Sequence, residues 1–107
     1  MMERIERLTQ MLEESPKDSF LMHALALENI KLGKDDAAKA LFVEILDENP
    51  KYVGSYYHLA KLLERNGEDK AALKIYEEGM LQATAVNDKH AYNELMMARD
   101  DNDAYEF

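Results

Sequence analysis

Apolar positions in this chain recur every three or four residues. Leu21, Met22 and Leu25 form one such stripe and Val53, Tyr56, Leu59, Ala60 and Leu63 another, and no stretch alternates with a period of two. The pattern predicts helices throughout. The punctuation between the stripes repeats: "LEESP" ends at Pro16 and "LDENP" at Pro50, 34 residues on. At the same offset "GKDDAA" from Gly33 returns as "GEDKAA" from Gly67, Leu25 and Ala26 fall on Leu59 and Ala60, and Phe42 falls on Tyr76. A fixed period of this length marks a helical unit that stacks on copies of itself.

Each repeated phrase has a mechanical reading. Glycine at 33 and 67 can end a helix in the left-handed conformation that a side chain resists. Asp35 and Asp69 are expected to cap the helices that follow, and the alanine pairs to let two helices approach closely. Pro16 and Pro50 are stop signals, because proline lacks an amide hydrogen and pushes the preceding residue out of helical geometry.

These residues resemble the tetratricopeptide repeat family, whose 34-residue helical hairpin sets bulky, leucine, small, glycine, alanine, aromatic and proline positions at fixed offsets. Residues 19–52 match one repeat through Met22, Leu25, Ala26, Gly33, Ala38, Phe42 and Pro50; residues 53–86 match a second through Tyr56, Leu59, Ala60, Gly67, Ala72 and Tyr76. Residues 3–14 resemble the second helix of a preceding unit, residues 87–99 a closing cap helix, and 100–107 form an acidic tail. The expectation is one 1–107 domain of all-α class, a right-handed superhelix of antiparallel hairpins with about six helices. Two departures stand out. Asn29 replaces the large residue usual between the two helices of a repeat, and Thr84 replaces the proline, so the helix is expected to run on toward Val86. In the cap, Ala91, Leu95 and Ala98 make a better inward stripe than strict 34-residue arithmetic gives.

The resemblance implies a scaffold that holds a peptide segment or a partner helix in a concave groove lined by the first helices of successive repeats, with no chemistry. The groove positions carried over are Phe20, His23, Leu27, Ile30 and Lys31 from the first repeat and Tyr57, His58, Lys61 and Arg65 from the second, with Gly54 and Glu64 beside them. A carboxylate clamp of the family's best-known kind is not implied, because His23, Leu27 and His58 stand where it uses lysine and asparagine. Phe20, Leu27 and Ile30 lie off the inward stripe, so they mark either an interface or a surface that the N-terminal helix covers. The alternative to a peptide-binding module is a self-assembling, homodimeric one.

Charge narrows the partner. The chain carries −9, with −4 on residues 35–48 and −4 on residues 100–107, whereas the helices assigned to the groove are close to neutral. Such a surface repels phosphate, and no basic stripe with interleaved aromatics appears, so nucleic acid is not the expected ligand. The three histidines fall in different helices without an i, i+4 pair, which argues against a metal site, and no cofactor is expected. Ser15, Ser19 and Ser55 lack a glycine elbow, and the pairs Glu13-Glu14 and Glu77-Glu78 read as solvated faces, so catalysis is not expected. With no cysteine, no apolar leader in "MMERIERLTQ" and no run of membrane-spanning length, the expected location is the cytoplasm, without a membrane partner.

Overall fold

The computed structural model describes residues 2–102 and residue 104. Its helices are α1 (Met2–Glu14), α2 (Ser19–Lys31), α3 (Asp35–Glu48), α4 (Gly54–Arg65), α5 (Asp69–Ala85) and α6 (Lys89–Asp100), and no strand occurs among the described residues. Their packing divides the chain into two units, one ending at Asn49 and one starting at Pro50. Of the acidic tail, Asp103 and residues 105–107 lie outside the described residues.

Three turns share one hydrogen-bond pattern. After α2, the Gly33 N–H donates to the Ile30 carbonyl at 3.0 Å and the Lys34 N–H to Asn29 at 2.8 Å. After α4 the same pair of bonds runs from Gly67 to Glu64 and from Glu68 to Leu63, and after α5 from Asn87 to Thr84 and from Asp88 to Ala83. This closure satisfies carbonyls that a helix end otherwise leaves bare, and it needs a left-handed residue. Gly33 has φ of 74°, Gly67 has 79° and Asn87 has 60°. The third turn carries no glycine; asparagine tolerates this region better than other residues with side chains.

The expected caps are displaced. Asp35 and Asp69 are already the first residues of α3 and α5, where their charge favours the helix dipole, and the residues before them, Lys34 and Glu68, make no side-chain cap bond. The capping aspartates are Asp18, which accepts from the Leu21 N–H at 3.1 Å, and Asp88, which accepts from the Ala91 N–H at 3.0 Å. With Thr84 in place of proline, α5 runs on to Ala85, and the Thr84 hydroxyl donates to the Met80 carbonyl at 2.9 Å.

In the first unit α2 packs against both α1 and α3. Leu8, Leu21, Met22, Ala26, Ala38, Phe42 and Ile45 are buried there, whereas Leu25 is only half-buried. Asn29 resolves its polarity locally, its side-chain amide donating to the Leu25 carbonyl at 3.1 Å. In the second unit α4, α5 and α6 all touch one another. Their core joins Tyr56, Leu59, Ala60, Leu63, Ala72, Tyr76, Leu95 and Ala98, so Leu95 and Ala98 of the expected cap stripe point inward while Ala91 is half-buried. Gly79 sits where three helices meet: a Cβ there would lie 2.7 Å from the Tyr56 Cβ and 2.9 Å from the Leu95 Cδ1. Only a residue without a side chain allows this approach.

Candidate functional site

The residues expected to bind a partner lie on α2 and α4, and each unit presents its own patch. On α2, Phe20 stands in the first turn with 68% of its surface exposed. His23 is half-buried and directs its ring toward Phe42 of α3, centroid to centroid 5.5 Å in an edge arrangement. Leu27 and Ile30 are half-buried. Lys31, in the last turn, is exposed, and its Nζ pairs with the Glu28 Oε2 at 3.1 Å, the same oxygen that receives the Arg4 Nε at 3.0 Å from α1. The hydrogen bond from Lys31 and then that from Arg4 hold the Glu28 carboxyl below its usual range, against an opposing contribution from burial. Phe20 and Lys31 are eleven positions apart, about 16 Å along the helix axis, so one small ligand group cannot meet both. The charge of Lys31 is already engaged by an acid of its own helix.

On α4 the expected residues come together. The rings of Tyr57 and His58 meet edge to face at 5.5 Å, and the Lys61 ammonium lies 5.6 Å from the centre of the Tyr57 ring. All three side chains are half-buried, and Arg65 is exposed in the last turn. Burial lowers the His58 pKa from its ordinary value, and the nearby Glu94 carboxylate of α6 opposes the shift. The shift favours the neutral imidazole. Glu64, carried over as a groove neighbour, turns inward instead: its Oε1 accepts from the Tyr76 hydroxyl at 3.1 Å and its Oε2 from the Asn102 side-chain amide at 2.9 Å.

Asn102 itself escaped the sequence reading. It belongs to the tail read only as acidic, yet it is 2% exposed, donates also to the Asp69 carbonyl at 3.3 Å and accepts from the Ala104 N–H at 2.7 Å. The available signal was small: one uncharged amide two residues past the end of α6, amid four acids. The arrangement offers an aromatic face, a cation and short polar groups, which suit contact with a polypeptide. Among the described residues no three His, Asp or Glu side chains are grouped to hold a metal ion, and no helix is long and apolar enough to cross a membrane.

Comparison with known proteins decides the family. A tetratricopeptide repeat family model matches residues 29–96, from the last turns of α2 into α6. The chain belongs to the tetratricopeptide repeat family. A tetratricopeptide repeat domain protein from Salinibacter ruber, solved in solution, is 36% identical and superposes with a TM-score of 0.80, over 85% of this chain and 92% of that one. A Bordetella parapertussis protein is 26% identical with a TM-score of 0.77, over 90% and 84% of the two chains. The TPR2B domain of yeast Sti1, solved in complex with pHsp70, superposes with a TM-score of 0.82 over 89% of this chain and 76% of that one; at 20% identity the likeness is one of fold. No curated protein matches the sequence. The resemblance drawn from the repeated phrases and the all-α repeat class both hold. Tetratricopeptide repeat domains are in general protein-interaction modules.

Proposed function

We propose that this tetratricopeptide repeat protein is a non-catalytic adaptor that binds a segment of another protein on the outward faces of its first-of-pair helices. The α2 patch supplies Phe20, His23, Leu27, Ile30 and Lys31, and the α4 patch Tyr57, His58, Lys61 and Arg65. The reading is carried by one observation on α4: an aromatic ring and a lysine cation are held side by side, half-buried, on a helix whose opposite face is fully committed to core. Tyrosine is among the residues enriched at the energetic centres of protein interfaces. The yeast domain solved with pHsp70 supports a polypeptide as the class of ligand. The cytoplasm is the proposed place of action, since a fold without cysteine needs no oxidising compartment.

The test is selection of peptides from a displayed random library on the full chain, followed by titration of the best binder against Leu27→Glu with Tyr57→Ala. Loss of affinity by tenfold or more, about 1.4 kcal/mol, supports the assignment. Equal binding by the double variant places the ligand elsewhere. Light scattering over a hundredfold concentration range separates the competing reading: a dimer that persists on dilution turns these patches into contacts between copies.

A further inference from the structure

In the second unit the Glu64 carboxylate is occupied by two neutral donors from other segments. Tyr76 of α5 gives its hydroxyl to Oε1, and Asn102, just past α6, gives its amide to Oε2 at 2.9 Å. Burial and then the nearby Glu64 charge raise the Tyr76 pKa well above the usual phenol value, so the donor stays protonated. Lys61, one turn earlier on the same helix, approaches Oε1 only to 3.4 Å, longer than the roughly 2.7–2.9 Å of a charge-assisted hydrogen bond. Its side chain is 39% exposed against 22% for Glu64, and its ammonium stands over Tyr57. The cation is thus shared loosely between a carboxylate already supplied and an aromatic ring.

We infer that Asn102 is a positioning residue for the α4 patch: by occupying Glu64, it keeps the Lys61 charge turned toward an incoming carboxylate-bearing peptide. Without the amide, Oε2 loses this donor in a partly buried setting, where a poorly met acceptor is costly. Lys61 already lies 3.4 Å from the other oxygen of this carboxylate and swings in to meet it. The tail that reads only as acidic therefore sets how much positive charge the binding face presents. This inference rests on the proposed peptide-binding role of Tyr57 and Lys61, but the state of Lys61 can be read without any ligand.

The experiment is competitive acylation of the full chain with an N-hydroxysuccinimide acetate, with each lysine followed by mass spectrometry and Lys70 and Lys74 of α5 as internal standards. Asn102→Ala is expected to slow labelling of Lys61 relative to those standards by about threefold, the change that a surface ion pair of ordinary strength supports. Adding Glu64→Gln to Asn102→Ala returns the Lys61 rate to the parent value or above it while the standards stay fixed, a rescue that general loosening of the unit would not produce. A Lys61 rate that is unchanged or raised while the standards stay fixed overturns the inference. If Asn102→Ala loosens the unit, Lys70 and Lys74 accelerate together and Tyr76→Phe decides, since it removes the other donor and keeps the ring; no slowing of Lys61 there also overturns it. A selected peptide that ignores Tyr57→Ala removes the binding role and leaves the labelling result standing, so the two failures are told apart.

Discussion

Phe42 and Tyr76 hold equivalent places 34 residues apart, one in each unit, and both are fully buried. They differ by one hydroxyl. In the first unit the ring of Phe42 is met edge-on by His23, and the position matching Glu64 is Ile30. In the second, the hydroxyl calls for an acceptor, Glu64 provides it, and the second oxygen of Glu64 calls for a donor, which Asn102 brings from beyond α6. A single buried polar atom has thus recruited a network across three segments, because an unmet hydrogen-bonding group in a core costs more than a met one returns. Two repeats can share a period, a turn geometry and a core shape and still differ in what holds their ends.

The strongest way to break the comparison is to remove a shared core residue. Leu59→Ala should cost about 2–5 kcal/mol in denaturant unfolding, because Leu59 is 3% exposed, whereas Leu25→Ala, its half-buried counterpart in the first unit, should cost distinctly less. Equal losses would mean that the two units bury these leucines alike. Next comes Gly79→Ala, expected to cost roughly 1–3 kcal/mol, since the added methyl meets the Tyr56 Cβ and the Leu95 side chain at less than 3 Å. The matching residue in the first unit is Ile45, fully buried, so Ile45→Ala fails by leaving a cavity where Gly79→Ala fails by crowding.

The hydroxyl itself can be exchanged. Phe42→Tyr puts a phenol into a unit whose matching position is Ile30, and should cost about 1–3 kcal/mol; Tyr76→Phe should cost no more than that, as Glu64 keeps Asn102 and Lys61. A neutral Phe42→Tyr in a melting experiment would sink the network argument. The smallest effect is pH dependence at His58. Burial lowers its pKa in the folded protein, so below the ordinary histidine value the unfolded chain binds the proton more readily. Stability present above that value is therefore lost as pH falls through it, until the folded protein also takes up the proton. Relative to the parent, His58→Gln should flatten the melting temperature between about pH 7 and pH 5.

The repeat architecture was legible because its signals are local. Glycine before a left-handed turn, proline after a helix and apolar residues at helical spacing each act within a few residues, and the turns at Gly33 and Gly67 appear as the phrases foretold. The third turn was not read, since Asn87 advertises a left-handed conformation more weakly than glycine and Thr84 removed the proline that set the register. Asp35 and Asp69 were misplaced by one residue relative to the cap, a slip that local pattern alone cannot detect. Asn102 was missed for a different reason: its partners, Glu64 and Asp69, are 38 and 33 positions away. A tally of charge along the sequence counts the acids around it and says nothing of a buried amide. The positions on α4 were carried over from the family resemblance, which gave no sign of the inward turn of Glu64 toward Tyr76 and Asn102.

The turn between α4 and α5 also bears on the shelf life of the molecule. Asn66 is exposed and followed by Gly67, the dipeptide in which a backbone nitrogen most readily attacks the neighbouring side-chain amide, expels ammonia and leaves a rearranged aspartate. Here that nitrogen is occupied, its hydrogen donated to the Glu64 carbonyl at 3.0 Å, while the backbone is held in the left-handed fold of the turn. The bond that ends a helix is at the same time a guard against chemical ageing, effective for as long as the turn stays closed.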